Sequence, residues 1–412
     1  MGWDWRPRPL PKPRWPLPKP WPPAPRPLSW WGPWWPWPTW DWSVTFDHEV
    51  THTSSVPANN REAVKLFVRE RRYWWPSPVR KPVLMLHGRS APVLAGFDLQ
   101  YKTYSWAEAL AQAGYDVFMM DLQGSGRSPR PEMGSPCNLS KTDQELLTPR
   151  PPGFTPCSPS YPFQLNNSDS DQAELHTVVE YIKQECKVPK VAFVGWSAAA
   201  FTMGPYAVQH PENVESMFLL APIFPPQATS SPPSPLPSSG VPMSLGTRYG
   251  LEKAWNLELR SPDQREPGMV EAVWAAHMDS DPVGRTWGPP EGLNRIRSFV
   301  RWGWNETTAG QSGVLGGDVP VLIVDGEHDR TANTTPPSST EFTFSVRALY
   351  DAITGPHKVM VRALGASHQM PWEQQHQNLH NLSTQWIKDR QVGGETTGVF
   401  VMDKNGVISP AP

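Results

Sequence analysis

The sequence predicts an α/β fold, with a mostly parallel central sheet and helices on both faces, and three observations carry that expectation. Short continuous apolar runs such as Pro82-Val-Leu-Met-Leu86 have the composition of strands covered on both sides. Segments of helical period separate these runs, and the alternation of strand, helix and strand persists along most of the chain. The run Val191-Ala-Phe-Val194 leads into Gly195-Trp196-Ser197 and then Ala198, Ala199 and Ala200. Small residues around a serine suit a sharp strand-to-helix turn that lifts the hydroxyl clear of the sheet.

Taken in order, residues 1–42 stand apart. Pro and Trp alternate there with scattered Lys and Arg, which forbids helix or central strand and predicts an extended or disordered arm. Such an arm is a leader with no part in chemistry, a segment that packs on the body or a partner, or a weak membrane-surface contact through indoles and cations. From Val44 the chain alternates apolar and polar residues over 44–50 and 63–69, as an edge hairpin does. The core then follows: strand 82–86, helix 104–113 closed by Gly114, strand 115–122, helix 169–187, strand 191–194, helix 198–209 and strand 214–221. It resumes with strand 319–325, helix 340–353, strand 358–364 and helix 374–388. The core is therefore expected over 43–223 and 318–390, with a tail at 391–412 that adds an edge strand or frays.

Two insertions break the rhythm. Residues 129–167, rich in Pro and Ser, read as an ordered loop region. Residues 224–317 open on a Pro/Ser linker and carry three helix-like segments, 247–259, 267–278 and 291–304, in the position of a helical cap over the site. Their Trp255, Trp274, Trp287, Trp302 and Trp304 are expected to pack the cap's own core, with one or two facing substrate.

A length of 412 residues with 38% hydrophobic and 18% charged can bury a large core plus an insertion. The net charge of -2 gives no global attraction for nucleic acid, so no nucleic-acid partner is expected. Cys137, Cys157 and Cys186 are odd in number and match no zinc spacing, so neither a metal site nor a disulfide framework is expected. Cys137 and Cys157 flank one loop and could pair in an oxidising compartment, but free thiols are the expectation. The five Asn-x-Ser/Thr triplets, at Asn138, Asn166, Asn305, Asn333 and Asn381, matter only in a secreted chain. No apolar run suits a membrane span or a signal peptide, which makes cytoplasmic the default location.

A serine hydroxyl is a poor nucleophile at neutral pH and needs a base, itself oriented by an acid. Strand Val321-Leu-Ile-Val324 runs into Asp325-Gly-Glu-His-Asp329, and strand Val359 to Leu364 runs into Gly365-Ala-Ser-His368. Both turns lie at strand carboxyl ends, where an open parallel sheet forms its ligand crevice, so Ser197, Asp329 and His368 are expected to converge there. Asp325 and Glu327 compete with Asp329, which should reach furthest. His328 reads as a solvated turn residue, and His48, His52, His176, His210 and His277 as ordinary surface or helix positions.

On these residues the chain, over roughly 43–390, resembles an α/β-hydrolase-fold serine hydrolase of the capped, esterase- or lipase-like kind. Supporting motifs are Leu86-His87-Gly88-Arg89-Ser90, Asp121-Leu-Gln-Gly-Ser-Gly126-Arg-Ser128, the elbow at Ser197 and the Asp329 and His368 turns. The resemblance implies Ser197 as nucleophile, His368 as general base and then acid, and Asp329 as orienting acid. It also implies an oxyanion hole from the backbone N–H groups of Arg89 and Ala198, a structural turn at 121–128, and a His87 that braces its own loop. Ala199 stands where the pattern has a second Gly. No metal or organic cofactor is implied. The expected activity is hydrolysis of an ester, lactone or related carbonyl bond of a small to medium apolar substrate. The same residues would serve an acyltransferase or cyclase, and a non-catalytic binder would keep only the pocket.

Overall fold

The computed structural model describes residues 43–74, 79–150, 152–334 and 343–411. The Pro/Trp arm, and with it the expected membrane contact, lies outside the described residues.

Ten strands form the central sheet: β1 (Ser43–Thr53), β2 (Ala63–Tyr73), β3 (Pro82–Leu86), β4 (Asp116–Met120), β5 (Val191–Trp196), β6 (Val214–Leu220), β7 (Val321–Gly326), β8 (Lys358–Ala363), β9 (Gly398–Met402) and β10 (Ile408–Pro410). Their order is β1-β2-β4-β3-β5-β6-β7-β8-β9-β10. From β4 to β9 every neighbouring pair is parallel, while β1–β2, β2–β4 and β9–β10 are antiparallel. All residues of β3, β4, β5 and β7 are buried, which is why these strands read as unbroken apolar runs.

Eight helices matter for the argument: α1 (Val93–Phe97), α2 (Trp106–Gln112), α3 (Ser168–Cys186), α4 (Ala200–Gln209), α5 (Arg248–Asn256), α6 (Met269–Asp279), α7 (Val346–Ala352) and α8 (His376–Asp389). Local chemistry sets their ends. Ser105 caps α2 by accepting from Glu108 N–H, and a reciprocal Asn167–Ser170 box starts α3. Lys187 closes α3 in the left-handed region, at φ 56°.

The tail resolves in favour of sheet: β9 pairs with β8 in parallel and β10 folds back on it, so the sheet continues past residue 390. The expected helix over 291–304 is replaced by the short strands Asn294–Arg297 and Phe299–Val300, the first paired with Met243–Gly246 and the second with Asn166–Asn167. Their inward side is held by charge, since Arg295 bonds Asp281 and Arg297 bonds Asp171 in the interior, so no apolar period marks it.

Cys137 and Cys157 form a disulfide, contrary to the expectation of free thiols. The 129–167 loop brings their Cα atoms to 5.2 Å, because Gln144 donates to the carbonyls of Leu139 and Cys157 and Asn138 accepts from Ser160 and Tyr161 N–H. Cys186 is free and buried. Closing a loop of this length is worth about 3 kcal/mol in the chain-entropy account. Cys137→Ser is therefore expected to lower unfolding stability by about that amount, and chemical denaturation of the variant and parent under non-reducing conditions measures it.

Among the described residues no helix is long and apolar enough to cross a membrane.

Candidate active site

β5 ends at Trp196, and Ser197 follows it at φ 58°, before a 3-10 turn (Ser197–Ala199) that opens α4. A non-Gly residue in the left-handed region is strained by roughly 1–2 kcal/mol, so the surroundings must hold it there. Gly195 makes that possible: a Cβ at 195 would sit 3.2 Å from the Ala199 Cβ and 3.0 Å from the Met203 sulfur. One glycine thus suffices for the turn, which explains how Ala199 is tolerated. The Gly88 loop passes against the serine, since a Cβ on Gly88 would lie 3.2 Å from the Ser197 Cβ. A Cβ there would also lie 3.7 Å from the Ser197 hydroxyl oxygen.

Ser197, His368 and Asp329 meet at the carboxyl ends of β5, β7 and β8, although they are far apart in sequence. His368 Nε2 lies 2.9 Å from Ser197 Oγ, and His368 Nδ1 lies 2.9 Å from Asp329 Oδ2. The other oxygen of Asp329 accepts from Thr331 and Ala332 N–H, both at 2.8 Å, which fixes the carboxylate plane. All three side chains are buried. Burial disfavours the imidazolium of His368, but the Asp329 carboxylate, its hydrogen bond and the charges of Glu258 and Asp325 outweigh that, and the pKa is raised above 6.5.

The competing acids are accounted for by their partners. Asp325 accepts from Asn333 Nδ2 at 2.7 Å, and burial pushes its pKa up to about 7 despite that bond. Glu327 accepts from Gly365 N–H, and His328 lies in its turn 3.7 Å from that carboxylate. His87 does brace its loop: Nε2 accepts from Leu122 N–H, which leaves Nδ1 to donate to the Gly88 carbonyl. The 121–128 turn is structural, with Asp121 accepting from Val93 and Arg127 N–H. A Cβ at Gly126 would fall 1.8 Å from an Asp121 oxygen.

Two carboxylates that the sequence did not mark support the histidine loop. Buried Glu258 accepts from His368 N–H at 2.9 Å, Arg330 N–H at 3.0 Å and the Thr331 hydroxyl at 3.2 Å. Buried Glu373 accepts from Ser367 N–H, Trp255 Nε1 and Gln264 Nε2, and the Trp196 indole donates to the His368 carbonyl. No motif flags them, because their role exists only in the folded histidine loop and the packing beside α5.

Two cavities meet at the serine, sharing Ser197, Arg89 and Thr331. The first, about 490 Å³, is bounded by His368, Trp196, Trp372, Leu245, Trp274 and His277. The second, about 470 Å³, is bounded by Ala198, Phe201, Ile223, Phe299, Arg301 and Trp304. Trp302 also lines the second, so three of the five insertion indoles reach a cavity wall where one or two were expected, while Trp255 and Trp287 are buried elsewhere. His277 was expected at an ordinary surface or helix position. It does lie on a helix, α6, but buried there, bonded to the Val273 carbonyl, with its pKa lowered by burial to about 4.

A family model described as alpha/beta hydrolase fold matches residues 81–242. No curated protein matches the chain. Similar solved structures include a serine hydrolase involved in carbazole degradation, at 14% identity, covering 84% of this chain and 98% of the other with TM-score 0.46. A carboxylesterase from Bacillus subtilis is similar at 11% identity, 84% and 93% coverage and TM-score 0.44. The thioesterase domain from the curacin biosynthetic pathway is similar at 16% identity, 79% and 95% coverage and TM-score 0.44. Likeness this distant adds nothing to the reading of individual residues. With an antiparallel hairpin leading into a parallel sheet, a serine on the turn after β5 and the matching model over residues 81–242, this chain has the α/β-hydrolase fold.

Proposed function

We propose that the protein is a serine hydrolase that cleaves an ester, lactone or related carbonyl bond of a small to medium, largely apolar substrate. The observation that carries this reading is the continuous relay from Ser197 Oγ through the His368 ring to Asp329, at 2.9 Å for each link. His368 Nε2 accepts the hydroxyl proton as Oγ attacks the carbonyl carbon, and Asp329 stabilises the imidazolium and holds its tautomer. The N–H groups of Arg89 and Ala198 meet the oxyanion, each worth about 3 kcal/mol in the transition state. Collapse expels the leaving group, which takes its proton from His368, and water then releases the acyl group by the reverse roles. Residues 224–317 act as the cap, a reading supported by the residues they contribute to both cavities.

Incubation with an ester panel, followed by product analysis with and without an added alcohol or amine, tests this. Free acid as the product in both cases is the expected result; acylated acceptor would favour a transferase. The disulfide favours an oxidising compartment over the expected cytoplasm. The membrane contact of residues 1–42 stays a proposal, and equal retention on anionic vesicles after deletion of that arm would end it.

The base must be neutral to act, so kcat/KM should fall as pH drops through the His368 pKa, which Asp329 and Glu258 hold above 6.5. Glu258→Gln removes one anion near the imidazolium. The acid limb of the profile is then expected to move to lower pH, measured on a neutral ester.

A further inference from the structure

The second cavity carries more cationic charge than its own fold neutralises. Arg301 and Arg297 share one carboxylate, Asp171. The adjacent buried Glu174, whose pKa burial raises, is taken up by Gln123, which donates to both its oxygens, so three guanidiniums face at most two carboxylates. Arg89 has no ion-pair or hydrogen-bond partner among the described residues, and its side chain is open to the cleft. All three guanidiniums gather around one ring: their carbons lie 5.7, 5.9 and 3.7 Å from the Phe299 centroid for Arg89, Arg297 and Arg301.

The same wall holds polar atoms without partners. Arg301 Nε, Trp304 Nε1 and Gln164 Oε1 are buried with no hydrogen bond among the described residues, and all three residues line this cavity. Buried polar atoms are normally satisfied, and orphaned ones, here two donors and the Gln164 acceptor, cost about 1–3 kcal/mol each. An excess of guanidinium and unfilled donors beside an otherwise apolar wall suits an apolar ligand with one anionic end. Arg recognises a carboxylate through two parallel hydrogen bonds, which a lone solvated cation at a rim does not provide.

The two cavities also differ in their place around the serine. His368, which must protonate the leaving group, lines the first and not the second, whereas Ala198, an oxyanion donor, lines the second and not the first. The leaving group therefore belongs in the first cavity and the acyl group in the second. We infer that the substrate is an ester or related derivative whose acyl chain ends in a carboxylate, seated by Arg89 and Arg301 in the cavity bounded by Phe201, Phe299 and Trp304. This inference deepens the hydrolase reading and rests on it.

The test compares kcat/KM for the mono-4-nitrophenyl ester of adipic acid with that for 4-nitrophenyl 6-methylheptanoate, whose branched end replaces the carboxylate at similar size. The full chain is expected to prefer the anionic ester by about tenfold or more, and Arg89→Met to erase most of that ratio. Arg89→Lys should keep part of it. Because the ratio is read, a general loss of activity in a variant cancels. Equal or reversed preference, or a preference that Arg89→Met leaves in place, overturns the inference. Calorimetric binding of the same two esters to Ser197→Ala supplies a readout that needs no turnover. Tighter binding of the anionic ester, lost on adding Arg89→Met, supports the pocket even if the hydrolase reading fails for want of turnover by the parent chain. Equal binding in that background rejects the pocket whatever the parent does.

Discussion

Ser197→Ala is expected to lower kcat for ester hydrolysis by about 10⁶-fold, leaving only the residual rate that binding and oxyanion donors provide. The effect is large because the nucleophile and its base act as a unit, and removing the oxygen leaves His368 Nε2 with nothing to deprotonate. Stability should change by no more than about 1 kcal/mol, since one hydrogen bond is lost and alanine adopts the same backbone region at the same strain. A steady-state rate beside a thermal unfolding curve separates the two. A variant that unfolds early would show that the loss is structural.

Asp329→Asn is expected to lower kcat by about 10⁴-fold, because the amide favours the wrong tautomer of His368 while keeping the geometry. Asp325→Asn is the matching control on the same turn. Burial already pushes the Asp325 carboxyl up to about 7, and its partner is Asn333, not the imidazole. The uncharged amide therefore replaces a group that is partly neutral at pH 7, and a loss below about tenfold is expected. If the two variants fell equally, the orienting acid would not be singled out by the hydrogen bond at Nδ1.

The central sheet and the three converging side chains were legible because each rests on local signals. β3, β5 and β7 are covered on both faces and so read as apolar runs. Ser197 and Asp329 follow two of these in turns, and His368 follows β8, whose buried apolar residues Val359, Met360 and Val361 lie between Lys358 and Arg362. The strand pair at 294–300 was not legible. Arg295 and Arg297 are buried there by pairing with Asp281 and Asp171, and a pattern of hydrophobicity cannot register a side chain whose burial depends on a distant charge. The disulfide was hidden for a similar reason. Its approach depends on hydrogen bonds made by Gln144 and Asn138 across a loop with no period of its own. Glu258 and Glu373 were invisible as site residues because their partners are peptide groups of the histidine loop, reached by Glu258 only through the folded packing beside α5 and by Glu373 only through the local turn of that loop. β9 showed as a five-residue apolar stretch after the last expected helix, too short to distinguish an added strand from a frayed end.

The most direct test of the account is covalent: the full chain is treated with a fluorophosphonate and the modified residue is located by peptide mass mapping, beside a His368→Ala variant. The account predicts a single adduct on Ser197 in the parent chain and loss of most of the labelling rate in the variant. Folded protein that leaves Ser197 unmodified, or that labels as fast without the imidazole, would contradict it.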